Sequence, residues 1–201
     1  MARWEGNTPD RLAEAALDLF EEQGYDRTTV AQIARRANLT ERSFYRWFSD
    51  KREVLFGGGR ELEEHLVAAI EAVPAGTGAL RTLLTACTTA TAVFRPREHL
   101  ERRAAIIAAN PPLRERELIK LVSLSEALTA ALLRRGHDRE TARLATDLGM
   151  AVMRLTAERC MADENADYAE VLWASAADLV AVAADGAPSA IASGESPGSG
   201  T

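Results

Sequence analysis

The chain has 201 residues, 47% of them hydrophobic but only 5% aromatic, and a formal net charge of −6. That apolar content excludes a disordered chain, the dominance of Ala and Leu favours helix over strand, and the length admits one or two domains with a real core. No stretch approaches a membrane span, and the N-terminus lacks the basic start and apolar run of a secretion signal, so a cytoplasmic protein with no membrane partner is expected.

Taken in chain order, the first predicted helix opens at Thr8, which can cap, with Pro9 at the first helical position and Gly24 as a left-handed terminator. Leu12, Ala16, Leu19 and Phe20 form its apolar stripe. A short second helix starts at Thr29, where Thr29 and Gln32 have the spacing of a capping box. Val30, Ile33, Ala34 and Ala37 make its inner face. Thr40 caps a third helix over 41–48, and Leu39 and Phe44 have the spacing of a hydrophobic staple. Phe44 and Phe48 point inward together, which leaves Arg42, Tyr45 and Arg46 on the other side. Asp50 and Glu53 repeat the capping-box spacing and are expected to open a fourth helix running to Val73.

Five more helices are expected over 77–94, 97–110, 113–135, 139–163 and 167–185, separated by Pro, Gly and Asn breaks. No segment alternates like a strand, so the fold class is all-α. From Gly186 the chain turns to Gly, Ser, Pro and Ala, a composition that predicts a disordered tail. The expected organisation is a helix-turn-helix domain over 1–55, a larger helical domain over 56–185 and the tail over 186–201.

Charge is unevenly spread. From Arg27 to Arg52 there are seven basic and two acidic residues, net +5, against −11 for the remainder. Such asymmetry suits a local phosphate-binding footprint on an otherwise acidic protein, although a charged run can also be only a solvated face.

The run from Thr28 to Lys51 resembles the signature of the TetR family of repressors. Its matches are the Thr that opens the second helix, Ile33-Ala34 with Ala37, Tyr45 with Phe48, and Lys51 three residues after that Phe. The preceding Leu19-Phe20 and Gly24-Tyr25 fit as well. The resemblance covers about the first quarter of the chain. It departs from the family at Arg42, where a small residue or Gly is common, and at Asn38, where Gly is frequent. Asn tolerates the left-handed conformation, so the turn can still form.

A third helix of this kind can lie in the major groove, where each base pair shows a distinct donor and acceptor pattern. Arg42, near its N-terminus, is the leading candidate to read a guanine edge, with Ser43 and Arg46 beside it. Thr29, Thr40, Tyr45 and Lys51 are candidates to position phosphates, while Thr29 and Thr40 can equally serve as plain caps. Trp47 can either pack on the fourth helix or face the DNA.

The resemblance further implies a homodimer on a near-palindromic double-stranded operator, with a small-molecule effector bound by the later helices. The apolar residues of the last two helices, among them Leu148, Leu155, Leu172, Trp173 and Leu179, are expected at the dimer interface. A mostly apolar effector pocket is expected from Cys87, Thr88, Thr91 and Phe94 with Leu121, Leu124, Met150 and Met153, although small residues also allow close helix packing. Gly57, Gly58 and Gly59 read either as a hinge or as a close contact with the first helix.

Cys87 and Cys160 read as free thiols. His65, His99 and His137 lack metal-ligand spacing, so neither metal nor cofactor is expected. No nucleophile elbow, dinucleotide fingerprint or Cys/His cluster points to an enzyme. A ligand-independent helix-turn-helix activator or architectural DNA-binding protein is the alternative to a repressor.

Overall fold

The computed structural model describes residues 8–185, and the expected tail over 186–201 lies outside the described residues. Within them there are only helices and turns, with no strand. None of the helices is long and apolar enough to cross a membrane.

Helix α1 (Thr8–Gln23) buries Leu12, Ala16, Leu19 and Phe20 and stops where Gly24 takes a φ of +87°, a conformation that costs glycine little. Helix α2 (Val30–Arg36) is closed by the complete capping box, with Thr29 Oγ1 accepting from the Gln32 N–H and Gln32 Oε1 from the Thr29 N–H. Asn38 then adopts a φ of 55°, so the Asn is what allows the tight turn. Helix α3 (Glu41–Trp47) follows, capped by Thr40. The rings of Phe44 and Phe48 meet at a tilt on its inner side, their centroids 5.4 Å apart, and Leu39 packs against the same core.

The expected fourth helix is not continuous. Residues Glu53–Phe56 make one 3-10 turn, and helix α4 (Gly59–Ala72) begins only beyond Gly57 and Gly58. Two contacts explain the break. Asp50 does cap the Arg52 and Glu53 N–H groups, but the Glu53 carboxylate is drawn away to Arg116 and Lys120, so the reciprocal half of the box is missing. Gly57 also lies under Phe48, where an added Cβ would come 3.0 Å from Cε1. The close contact expected with α1 is therefore made with Phe48.

The helix expected over 77–94 divides in the same way, into α5 (Ala79–Cys87) and a 3-10 turn at Ala90–Val93. Here the hydroxyls of Thr88 and Thr89 donate to the carbonyls of Thr85 and Ala86, each at 2.7 Å, which competes with the regular ladder. Helices α6 (Arg97–Ala109), α7 (Pro111–Arg134), α8 (Arg139–Ala162) and α9 (Tyr168–Asp185) complete the described chain.

Two apolar cores result. The first joins α1, α2, α3 and the 3-10 turn at Glu53–Phe56, and it is completed by Ile106, Ile107 and Leu113 from α6 and α7. The second is built from Leu66, Ile70, Leu83, Leu128, Leu132, Val152 and Leu172. Helix α6 thus belongs to the core of the N-terminal helices although it follows them by some 40 residues of sequence.

Polar contacts reinforce that attachment. Arg102 reaches Glu14, Asp18 and Glu21 along one face of α1, while Arg95 pairs with the buried Asp10 and His99 with Glu14. From the α6 side, Arg103 donates to the Leu55 carbonyl and pairs with Glu117. Carboxylates at positions 10, 14, 18 and 21 recur once per turn, a signal present in the sequence but indistinguishable there from a solvated face.

Candidate nucleic-acid interface

Helix α3 has two chemically different sides because its inward positions are aromatic. Phe44 and Phe48 are buried, which turns Arg42, Tyr45, Arg46 and Trp47 out to solvent. Tyr45 is 55% and Trp47 51% exposed, so Trp47 does not pack on α4. The Arg46 guanidinium instead sits over the Trp47 ring, 5.6 Å from its centroid. Arg42 makes no hydrogen bond or ion pair with another described residue. Ser43 is half-buried beside the cap, its N–H donating to Thr40 Oγ1 and its hydroxyl 3.0 Å from the same oxygen.

Thr29 and Thr40 both cap, and both are exposed at helix N-termini, where the backbone amides and the helix dipole favour an anion. The start of α2 is further fixed by Gln23, whose amide donates to Thr28 Oγ1 and to Gln32 Oε1 at 3.1 Å each.

The basic run is not uniformly available. Arg36 is clasped by Glu22 with Asp18 nearby, and Arg52 by Asp50. Arg27 donates to the Gln23 carbonyl. Lys51, expected on a phosphate, instead aims its ammonium into the turn between α1 and α2. It donates to the carbonyls of Tyr25 (2.6 Å) and Thr28 (2.9 Å) and lies 4.0 Å from the Tyr25 ring centroid. Burial holds the Lys51 amine below the ordinary lysine range, partly offset by Asp26. Of the basic residues from Arg27 to Arg52, this leaves Arg35, Arg42 and Arg46 exposed with no side-chain hydrogen bond or ion pair to another described residue, and Arg27 exposed with only the Gln23 carbonyl as its partner. The sequence leaves Trp47 open between packing and DNA and does not mark Arg35, because exposure at both depends on how α2 and α3 are rotated.

In the second half of the chain the structure does not gather the expected pocket. Cys87 is fully buried, and burial pushes its thiol up to about 12. Thr88 is turned back onto its own helix, Thr91 is exposed, and Phe94 stands edge-on to Tyr168 at 5.2 Å. Leu121 points to solvent, whereas Leu124, Met150 and Met153 lean on the second core. The space between α5 and α8 is closed by Gly149, where a methyl group would overlap Leu83. Two surface clefts lie elsewhere. One, of about 410 Å³, is between α1 and α2 at Gln23, Gln32 and Arg35, and the other, of about 460 Å³, is at the turns 75–78 and 135–137.

The expected interface residues also divide. Leu172 is fully buried in its own chain's core, and Leu155 and Leu179 are half-buried, while Leu148 and Trp173 are exposed. Leu144, Val180 and Val182 extend the exposed apolar surface of α8 and α9.

A short helix pair joined by a tight turn, with the second helix turned outward and two capped N-termini beside it, defines a helix-turn-helix DNA-binding protein. The comparisons agree. The family described as "Bacterial regulatory proteins, tetR family" matches residues 12–56. The HTH-type transcriptional regulator TcmR of Streptomyces glaucescens is 41% identical over 76 residues, covering 38% of this chain and 34% of that protein. The match therefore spans about a third of the curated relative's length. Among solved structures, a putative TetR-family regulator from Syntrophomonas wolfei superposes with a TM-score of 0.60 at 16% identity, covering 88% of this chain and 95% of that one. SmeT in complex with triclosan, the repressor of the Stenotrophomonas maltophilia multidrug efflux pump SmeDEF, gives 0.57 at 19% identity, covering 87% and 90%. Over residues 12–56 the chain matches the TetR family of DNA-binding transcriptional regulators, and the likeness in fold extends over the later helices.

Proposed function

We propose that the protein is a one-component cytoplasmic repressor that binds a near-palindromic operator as a homodimer and leaves it when a small, largely apolar effector binds. The observation that carries the DNA-reading half is Arg42: a guanidinium with no described protein partner, at the start of an outward-facing helix whose other side is sealed by Phe44 and Phe48. Its planar fork suits guanine O6 and N7. Ser43 and Arg46 flank it, and Trp47 offers an apolar face to sugar or a thymine methyl. Thr29, Thr40 and Tyr45 hold phosphates on either side, with Arg35 as a further cation.

Dimerisation is assigned to α8 and α9 through Leu144, Leu148, Trp173, Val180 and Val182, whose exposure is otherwise unexplained in a soluble chain. For the effector, the uncovered stretch of α7 is the better candidate than the α5 seam. Thr129 and Thr146 hydroxyls meet at 3.0 Å where α7 touches α8. Leu118 and Val122 continue the same face of α7 beyond that point, with Leu121 adjacent, and all three are exposed. That SmeT was solved with triclosan supports an apolar ligand class.

A second reading, a regulator that needs no ligand, is favoured by the closed α5–α8 seam at Gly149. Footprinting on the DNA flanking the protein's own gene, with and without compounds that raise its melting temperature, tests both. Protection of a symmetric site that a stabilising compound abolishes supports the first reading. Protection that no such compound alters supports the second.

A further inference from the structure

We infer that Lys51 is a positioning residue for DNA binding: it locks the α1–α2 turn against the segment after α3, so that the start of α2 and the face of α3 meet the duplex in one register. The inference rests on the DNA-binding reading of α3. Lys51 lies four residues beyond α3, yet two of its three N–H donors go to carbonyls 26 and 23 residues earlier, those of Tyr25 and Thr28. Its charge is also spent on the Tyr25 ring, which itself packs on Phe20 at 5.2 Å.

The Thr28 carbonyl belongs to the peptide that leads into Thr29, and Thr28 is anchored from its other side. Its hydroxyl donates to the Gly24 carbonyl at 2.9 Å and receives the Gln23 amide. Gln23 in turn holds Gln32, the partner of Thr29 in the capping box. The chain Lys51–Thr28–Gln23–Gln32–Thr29 therefore connects the end of the recognition helix to the other amide-rich helix start that faces phosphate. An ammonium whose donors are engaged inside the turn makes no direct phosphate contact, so it adds no counterion release of its own when DNA binds.

This separates two roles that an affinity loss alone would confuse. The probe is a fluorescently labelled duplex of arbitrary sequence, about three helical turns long, titrated by anisotropy over a range of KCl concentrations with the folded fraction checked by circular dichroism. Lys51→Met is expected to weaken binding roughly tenfold while leaving the slope of log K against log[salt] unchanged. Tyr25→Leu, which alters no charged group, is expected to do the same to a smaller degree, and it carries the test if Lys51→Met fails to fold. Combined with Thr29→Ala, each effect should be less than additive, because both act through the same helix start. A slope reduced by about 0.9 in Lys51→Met, with Tyr25→Leu binding as wild type, overturns the inference and makes Lys51 a phosphate contact. Wild-type protein that does not bind the duplex at all overturns the DNA-binding reading and this inference with it.

Discussion

Gly149 of α8 faces Leu83 of α5 so closely that a methyl group on Gly149 would overlap Leu83 Cδ2 and lie 3.0 Å from its Cγ. The two helices are therefore spaced by a hydrogen atom, and both residues are buried in the second core.

Gly149→Ala sets two effects against each other. Helix propensity alone would favour Ala by about 1 kcal/mol. Overpacking in a filled core costs roughly 1–3 kcal/mol, and Leu83, fully buried among the residues of the second core, can make room only by displacing them. The expected outcome is a net loss, read as a melting temperature lower by several degrees. An unchanged or raised melting temperature would mean that α5 and α8 can separate.

Glu53 predicts how stability falls in acid. Burial raises its carboxyl, but hydrogen bonds from Arg116 and Lys120 outweigh that and hold it below the ordinary value of 4.5. A lowered folded-state value means stability is present above the unfolded value and is lost as pH falls through the folded one. Urea titrations across the acid range should show wild type losing stability below about pH 4.5. In Glu53→Gln the same limb should be shallower, the two proteins converging at the acid end.

The Arg102 clamp carries a prediction about the attachment of α6. Arg102→Met keeps the aliphatic stem but leaves Glu14, Asp18 and Glu21 facing one another without their shared cation. Because the three carboxylates are partly exposed, the loss is about 1–2 kcal/mol and shrinks at high salt. Hydrogen exchange should show α1 and α6 losing protection together. Loss confined to α6 would argue that the apolar contacts of Ile106 and Ile107 suffice to hold α1.

Thiol chemistry tests the burial assigned to the α5 end. With the Cys87 thiol pushed up to about 12, almost no nucleophilic thiolate exists near neutral pH. Mass spectrometry after iodoacetamide at mildly alkaline pH should find Cys87 unmodified in native protein and labelled after unfolding. Cys160, half-exposed, reacts slowly, since burial first and then Asp167 raise its thiol as well. Fast labelling of native Cys87 would mean that a channel reaches the expected pocket after all.

These residues also mark what could be read from the chain alone. Thr29 with Gln32 and Thr40 with Ser43 are local pairs, so their spacing is nearly sufficient to specify the two helix starts. The contacts of Lys51 could not be read, because its partners lie more than 20 residues away and its ammonium looks the same in a turn as on a phosphate. The breaks at Gly57 and Thr88 were hidden for a related reason. One depends on where the Phe48 ring lands, and the other on threonine hydroxyls choosing their own helix. Leu172 shows the limit for apolar helices: when most of the circumference is hydrophobic, periodicity does not say which side faces the chain's own core and which would face a partner.

The most direct test of the central claim is selection of bound sequences from a pool of randomised duplexes, with wild type and Arg42→Ala side by side. Wild type is expected to enrich a near-palindromic site in which one G·C pair recurs in each half. Arg42→Ala should lose preference at that pair alone, a change of about 1–3 kcal/mol per half-site, while other positions stay selected. Enrichment of no sequence by wild type, or the same preference in both proteins, would contradict the assignment of α3 and Arg42 as the reading element.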